Sequence, residues 1–306
     1  MKKNHFLSVL VVLLLISCNK AKESSIDNSI ITNTNDNNTN TPTNVYVFNN
    51  ELVWSDEFDE DGIISSEKWM PETIPPVDGG WYNGEFQFYT DRQENVIMED
   101  GILKIIAKKE SYNEKQYTSA RLITQDKFEF TYGKIEVRAK LPSGEGMWPA
   151  IWLLGANIDD VGWPQCGEID ILEHGDWVKE TTVDNPGLIS SAVHYPSVSH
   201  LNSYENLPNT IFGPDPGGHF VRGERIIDNP LSEFHVYTLE WAPDKMKFFV
   251  DGIKHHEFPI LTYNMPFDKP HFIILNLAVG GHFTDYYIDP NFTEATFEID
   301  YVRVYQ

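Results

Sequence analysis

Two cysteines in 306 residues allow at most one disulfide, so no framework of bridges holds this chain together and its fold rests on a buried core. Long apolar runs are missing as well. The longest, FLSVLVVLLLI near the N-terminus, has 11 residues, against the ~20 that a membrane-spanning helix requires. Positive charge is scarce: 23 Lys and Arg face 46 Asp and Glu, for a formal charge of −23. That balance argues against nucleic acid and other polyanions as partners, because their phosphates or sulfates call for a basic surface, and it favours a neutral or cationic ligand. Beyond the N-terminal run there is no sustained helical periodicity, which argues against a helical bundle.

What the chain has instead is the material of a large all-β domain. Hydrophobic residues make up 41% and aromatics 13%, ample for a core, while 18 Pro and 20 Gly supply frequent turns. In KIEVRAKL, Ile135, Val137, Ala139 and Leu141 alternate with Glu136, Arg138 and Lys140, the pattern of a half-buried strand. Asp251-Gly252 lies between two strand-like runs and predicts a type I′ hairpin. HVYTLEWAP and YVRVYQ read as further strands. The expectation is two packed antiparallel sheets, one of them presenting a polar and aromatic face.

The N-terminus stands apart. Lys2 and Lys3 precede the short apolar run, which ends in LISC; the arrangement resembles a bacterial lipoprotein signal, with cleavage after residue 17 and lipid on Cys18. An exported, membrane-anchored protein is expected, at the cell surface or facing the periplasm. Cys166 then has no intrachain partner and reads as a small buried residue. Residues 18–47 are rich in Asn and Thr and lack apolar periodicity, so they are expected to form a disordered tether. A single domain is expected over 48–306. Within it, residues 200–230 form a long Pro-, Gly- and Asn-rich insertion, read as a loop walling one end of a binding groove.

The densest chemistry lies in GEIDILEHGD, residues 167–176. Ile169 and Ile171 favour a strand, and in a regular strand Glu168 and Asp170 share a face while Glu173 points into the core, where an unpaired carboxylate is costly. One inserted residue removes the conflict. A β-bulge between Asp170 and Glu173 returns Glu173 to the face of the other two. Paired carboxylates on one face suit glycoside hydrolysis, and crowding among the three acids should raise the pKa of one of them.

With these residues in view, the sequence resembles glycoside hydrolase family 16, whose signature is E-[I/L]-D-[I/L]-x-E. YGKIEVRAKLPSGEGMWPAIWLLG and WPQCGEIDILEHGD match its central block, and WYNGEFQFYT, YTSARLIT, FHVYTLEW, LNLAVGG and IDYVRVY match the flanking ones in order and spacing. The resemblance implies a jelly-roll β-sandwich with a concave substrate groove and retaining endo-hydrolysis of a neutral β-glucan. It points to β-1,3-glucan (laminarin), with mixed-linkage β-1,3-1,4-glucan, transglycosylation and non-catalytic glycan binding as alternatives. Glu168 matches the nucleophile, Glu173 the general acid/base and Asp170 the residue that orients the nucleophile. Trp81, Asn83, Glu85, Arg121, Trp148, Trp152, Trp163, His194 and Asn276 match the substrate groove. No catalytic cofactor is implied. A structural calcium is expected at Glu57 and Asp300, and the protein is expected to be a monomer.

Overall fold

Two sheets of alternating, inward-facing apolar residues close on one another in the computed structural model, which describes residues 46–76, 80–175, 186–197, 210–260 and 265–306. These residues belong to one compact unit, Val45–Gln306. The signal, Cys18, the tether up to residue 45 and residues 200–209 of the insertion lie outside the described residues.

The backing sheet has ten strands. Its path runs Ile253–Pro259, Lys245–Val250, His235–Trp241, Gly133–Lys140, Glu294–Tyr305, Ile102–Tyr112, Lys115–Ser119, Gln87–Tyr89. The expected alternation in Gly133–Lys140 holds, with every second residue buried. The Asp251-Gly252 turn joins Val250 to its partner Ile253, with φ of 50° and 74° at its two central residues, as a type I′ turn demands.

The second sheet has nine strands and carries the acids. Its path runs Thr210–Asp215, Gly218–Ile226, Leu188–Pro196, Glu168–His174, Met147–Gly155, His271–Val279, Arg121–Ile123, Met70–Pro71. All pairings along this path are antiparallel. Between the sheets lies one core, with Ile151, Leu153, Ile169, Ile171, Val193 and Leu275 from the acid-bearing sheet meeting Leu103, Ile135, Val137, Leu239, Phe248 and Val302 from the other. This is the jelly-roll β-sandwich that the resemblance implies.

The insertion departs from the expected loop. Its described part is a strand pair, Thr210–Asp215 and Gly218–Ile226, added to the edge of the acid-bearing sheet. Pro214 is tolerated because its strand is the outermost one.

Candidate active site

The bulge predicted from the spacing of the acids is present. Asp170 pairs with Ala192 and Glu173 with Ser190, so three steps along the acid strand match two along its neighbour. On the other side Trp152 pairs with Asp170 and Ala150 with Glu173, with the same slip. Glu173 is thereby returned to the face of Glu168 and Asp170. The small residues Ala150, Ala192 and Ser190 occupy neighbouring positions of these rows.

Each outer acid is held by an indole. Trp163 Nε1 donates to Glu168 Oε2 at 2.9 Å, and Trp148 Nε1 donates to Glu173 Oε1 at 3.1 Å. Trp148 stacks on Phe283 with ring centroids 4.9 Å apart, which fixes its plane. The middle acid, Asp170, is almost wholly buried and lies 3.1 Å from His194 Nε2, which is also 3.9 Å from Glu168. The other imidazole nitrogen, Nδ1, is 2.7 Å from Asp215 Oδ2. His194 therefore belongs to the site, clamped between two aspartates.

These contacts set the charges. Burial raises the pKa of Glu168, and the neighbouring Asp170 carboxylate adds to it. Burial also raises Asp170 and Glu173. For His194, burial disfavours the imidazolium, but Glu168, Asp170 and Asp215 outweigh it and lift its pKa well above the ordinary value. A protonated His194 in turn favours ionised Glu168 and Asp170. Groups this close titrate as a set. The arrangement offers one ionised carboxylate and one protonated carboxylic acid, the pair needed for double displacement at a sugar.

The remaining predicted groove residues form a second cluster. Arg121 pairs with Glu72 at 2.5 Å, and its guanidinium lies 4.8 Å from the Trp152 ring and 5.7 Å from the Trp81 ring. Trp152 Nε1 donates to Asn276 Oδ1 at 2.7 Å, and Asn276 Nδ2 donates to the Tyr89 hydroxyl at 3.1 Å. Glu85 accepts from Gln87 at 2.6 Å and from Tyr89 at 3.0 Å; its pKa is raised by burial. Asn83 is exposed, with φ of 60°. Trp81, Glu85 and Asn276 lie at the floor of this cluster, each less than one-tenth exposed. Trp81 and Asn276 contact Arg121 and Trp152, which are more open.

The two carboxylates expected to hold calcium each face an arginine. Glu57 takes two hydrogen bonds from Arg303, at 3.0 and 2.7 Å, and Asp300 is paired with Arg138. Both carboxylates are thus paired with guanidinium groups in this structure. Among the described residues, the one cluster with metal-ligand geometry is Glu168, Asp170 and His194, whose ligand atoms lie within 4.8 Å of one another. Both nitrogens of that imidazole already face aspartates. Cys166 is buried and free, and burial pushes its thiol up to about 12, so it is not reactive.

Sequence reasoning missed Asp215, Arg222 and Phe283. Arg222 pairs with Glu224 at 2.9 Å, and both border a shallow surface depression together with Glu173, Ser190 and Phe283. The only sequence signal for Asp215 and Arg222 was that the insertion is long. Phe283 gave none, since its partner Trp148 lies far away in sequence.

The sequence model of glycosyl hydrolases family 16 matches residues 83–303. A β-glucanase of Rhodothermus marinus is 40% identical over 269 residues, covering 84% of this chain and 85% of the relative. The crystal structure of LamA from Zobellia galactanivorans in complex with laminaritriose and laminaritetraose is 43% identical with a TM-score of 0.71, covering 85% of this chain and all of that one. A laminarinase structure from Flavobacterium sp. UMI-01 is 39% identical with a TM-score of 0.68, covering 84% of this chain and all of that one.

Proposed function

The chain belongs to glycosyl hydrolases family 16 and is an endo-β-glucanase, and we propose that it cleaves β-1,3-linked glucan with Glu168 as nucleophile and Glu173 as general acid/base. In the first step the ionised Glu168 attacks the anomeric carbon while Glu173 protonates the departing glycosidic oxygen. Asp170, held by His194, orients Glu168. In the second step Glu173, now a carboxylate, takes a proton from water as the water oxygen bonds to the anomeric carbon of the glycosyl-enzyme; the ester bond to Glu168 breaks, leaving Glu168 a carboxylate and Glu173 protonated again. Configuration is retained, and no cofactor takes part.

The observation that carries this reading is the bulged strand: it sets Glu168 and Glu173 on one face, each on its own indole donor, with the Asp170–His194–Asp215 chain beside the nucleophile. Charge supports a neutral polymer, because acids in a partly desolvated cleft of a chain with formal charge −23 repel sulfated glycans. The laminarin oligosaccharides held by the related LamA structure support the β-1,3 linkage. Trp148 and Phe283 would then face the sugars on the acid/base side, and Trp163 those beside the nucleophile.

A panel of laminarin, mixed-linkage glucan, agarose and carrageenan tests the substrate. Fast internal cleavage of laminarin is expected, with the β-anomer appearing first by proton NMR. A preference for mixed-linkage glucan would move the substrate to that branch, and an α-anomer appearing first would contradict double displacement.

On location, we propose acylation at Cys18 with residues 18–47 as a tether that lets the enzyme sample a bulky polymer. The support is the sequence LISC after a basic start and a short apolar run.

A further inference from the structure

The bulge that aims Glu173 has a support of its own on the side away from the substrate. Ser190 lies on the substrate face, and its neighbour Ser191 is wholly buried between the sheets, opposite the extra residue of the acid strand. Ser191 Oγ donates to the carbonyl of Ile171 at 2.7 Å, and Ile171 is the residue that the pairing with Met147–Gly155 skips. A second contact reaches Ser191 from the backing sheet, where His255 Nε2 is 2.9 Å away.

The direction of this chain follows from elimination. A carbonyl oxygen only accepts, so the single serine proton goes to Ile171, and Ser191 Oγ accepts from His255. The imidazole is therefore the Nε2–H tautomer. Burial, with His256 and Arg225 nearby, lowers the His255 pKa to about 3, so it stays neutral and keeps this single proton. The approach of the His255 strand depends on Gly223, which pairs with Ser191. A Cβ on Gly223 would lie 2.5 Å from His256 Cβ, closer than any side chain allows, so a bare backbone is what lets the two sheets meet here.

We propose that Ser191 and His255 are positioning residues for catalysis: the relay from His255 Nε2–H through the Ser191 hydroxyl to the Ile171 carbonyl fixes the bulge and hence the aim of Glu173. The inference rests on Glu173 being the general acid/base. Neither residue touches the substrate. Their effect falls on the step in which Glu173 must deliver a proton in line with the glycosidic oxygen, where small misplacement is expensive.

The test compares kcat/KM on laminarin with kcat/KM on a dinitrophenyl β-laminaribioside, whose leaving group needs no proton, for wild type, Ser191→Ala, His255→Phe, His255→Gln and Glu173→Ala. Ser191→Ala and His255→Phe should lose about ten-fold or more on laminarin and less than about three-fold on the aryl substrate. His255→Gln, which keeps a side-chain N–H, should stay near the wild-type ratio. A reduced fraction of folded enzyme lowers both substrates equally and leaves the ratio unchanged, so an unchanged ratio in Ser191→Ala and His255→Phe overturns the relay. If Ser191→Ala does not fold, His255→Phe decides by the same ratio. Glu173→Ala separates the two layers: an unchanged ratio there overturns the acid/base reading itself, whereas a changed ratio there with none in the other two sinks only the relay.

Discussion

Three carboxylates on seven residues of one strand are a poor choice for stability, and the cost shows where function sits. Burial and mutual repulsion raise the pKa of both Glu168 and Asp170 above the ordinary carboxylate range. In the unfolded chain these groups release their protons near 4. The stability tied to them is thus fully present below about pH 4 and is lost progressively as pH rises from there through the raised folded values. Glu168→Gln should therefore abolish turnover and also raise Tm at pH 8 by several degrees, on the order of 2 kcal/mol, with little gain at pH 4. A Tm no higher than wild type at pH 8, measured by calorimetry, would contradict the buried-charge account. His194 works in the opposite sense, since its imidazolium lowers the pKa of both Glu168 and Asp170. His194→Gln should move the acid limb of kcat/KM up by about one pH unit. An unmoved limb would mean that His194 is not charged in the working enzyme.

At the scale of elements, the acid strand was legible because its parity was wrong: Glu168 and Asp170 are two apart, Glu173 three further on, and only a bulge keeps all three out of the core. Deleting Ile171 restores a regular strand and turns Glu173 inward, at a cost of about 3 kcal/mol or more in urea unfolding and with loss of activity. Ile171→Val keeps the bulge and should keep most of the rate. If the deletion variant were as stable as wild type, the bulge would not be what spares Glu173 from burial. The strand pair Thr210–Asp215 and Gly218–Ile226 was not legible. Gly213, Pro214 and the run from Pro216 to Gly218 read as turn and loop, and alternation over so few residues is too weak to oppose them. What makes them strands is an edge to pair with, which is tertiary information. Asp215 was missed for the same reason, and with it the second half of the clamp on His194. Trp81, Glu85 and Asn276 were recognised as part of the site, but one sequence does not say which residues of a cluster meet the sugar and which support those that do. The pairing of Glu57 with Arg303 and of Asp300 with Arg138 was equally out of reach, because all four are plausible surface residues until the strands are brought together.

For the whole molecule, charge and the proposed lipid attachment set what the enzyme meets. With 46 acidic against 23 basic side chains, rates on neutral laminarin should change little between low and moderate salt, and carrageenan should not be cut; efficient cleavage of a sulfated galactan would overturn the electrostatic part of the account. Cys18→Ala should move the protein from the membrane to the soluble fraction, since stable attachment depends on acyl chains, and continued sedimentation with membranes would place the anchor elsewhere. The central claim concerns Glu168 and Glu173 in the intact protein, and one labelling measurement addresses it directly. Incubation with a deoxyfluoro laminaribiosyl donor bearing an activated leaving group should trap the glycosyl-enzyme, and peptide mass spectrometry should place one sugar adduct on Glu168. An adduct on Glu173 or Asp170, or turnover of the donor with no adduct on Glu168, would contradict the account.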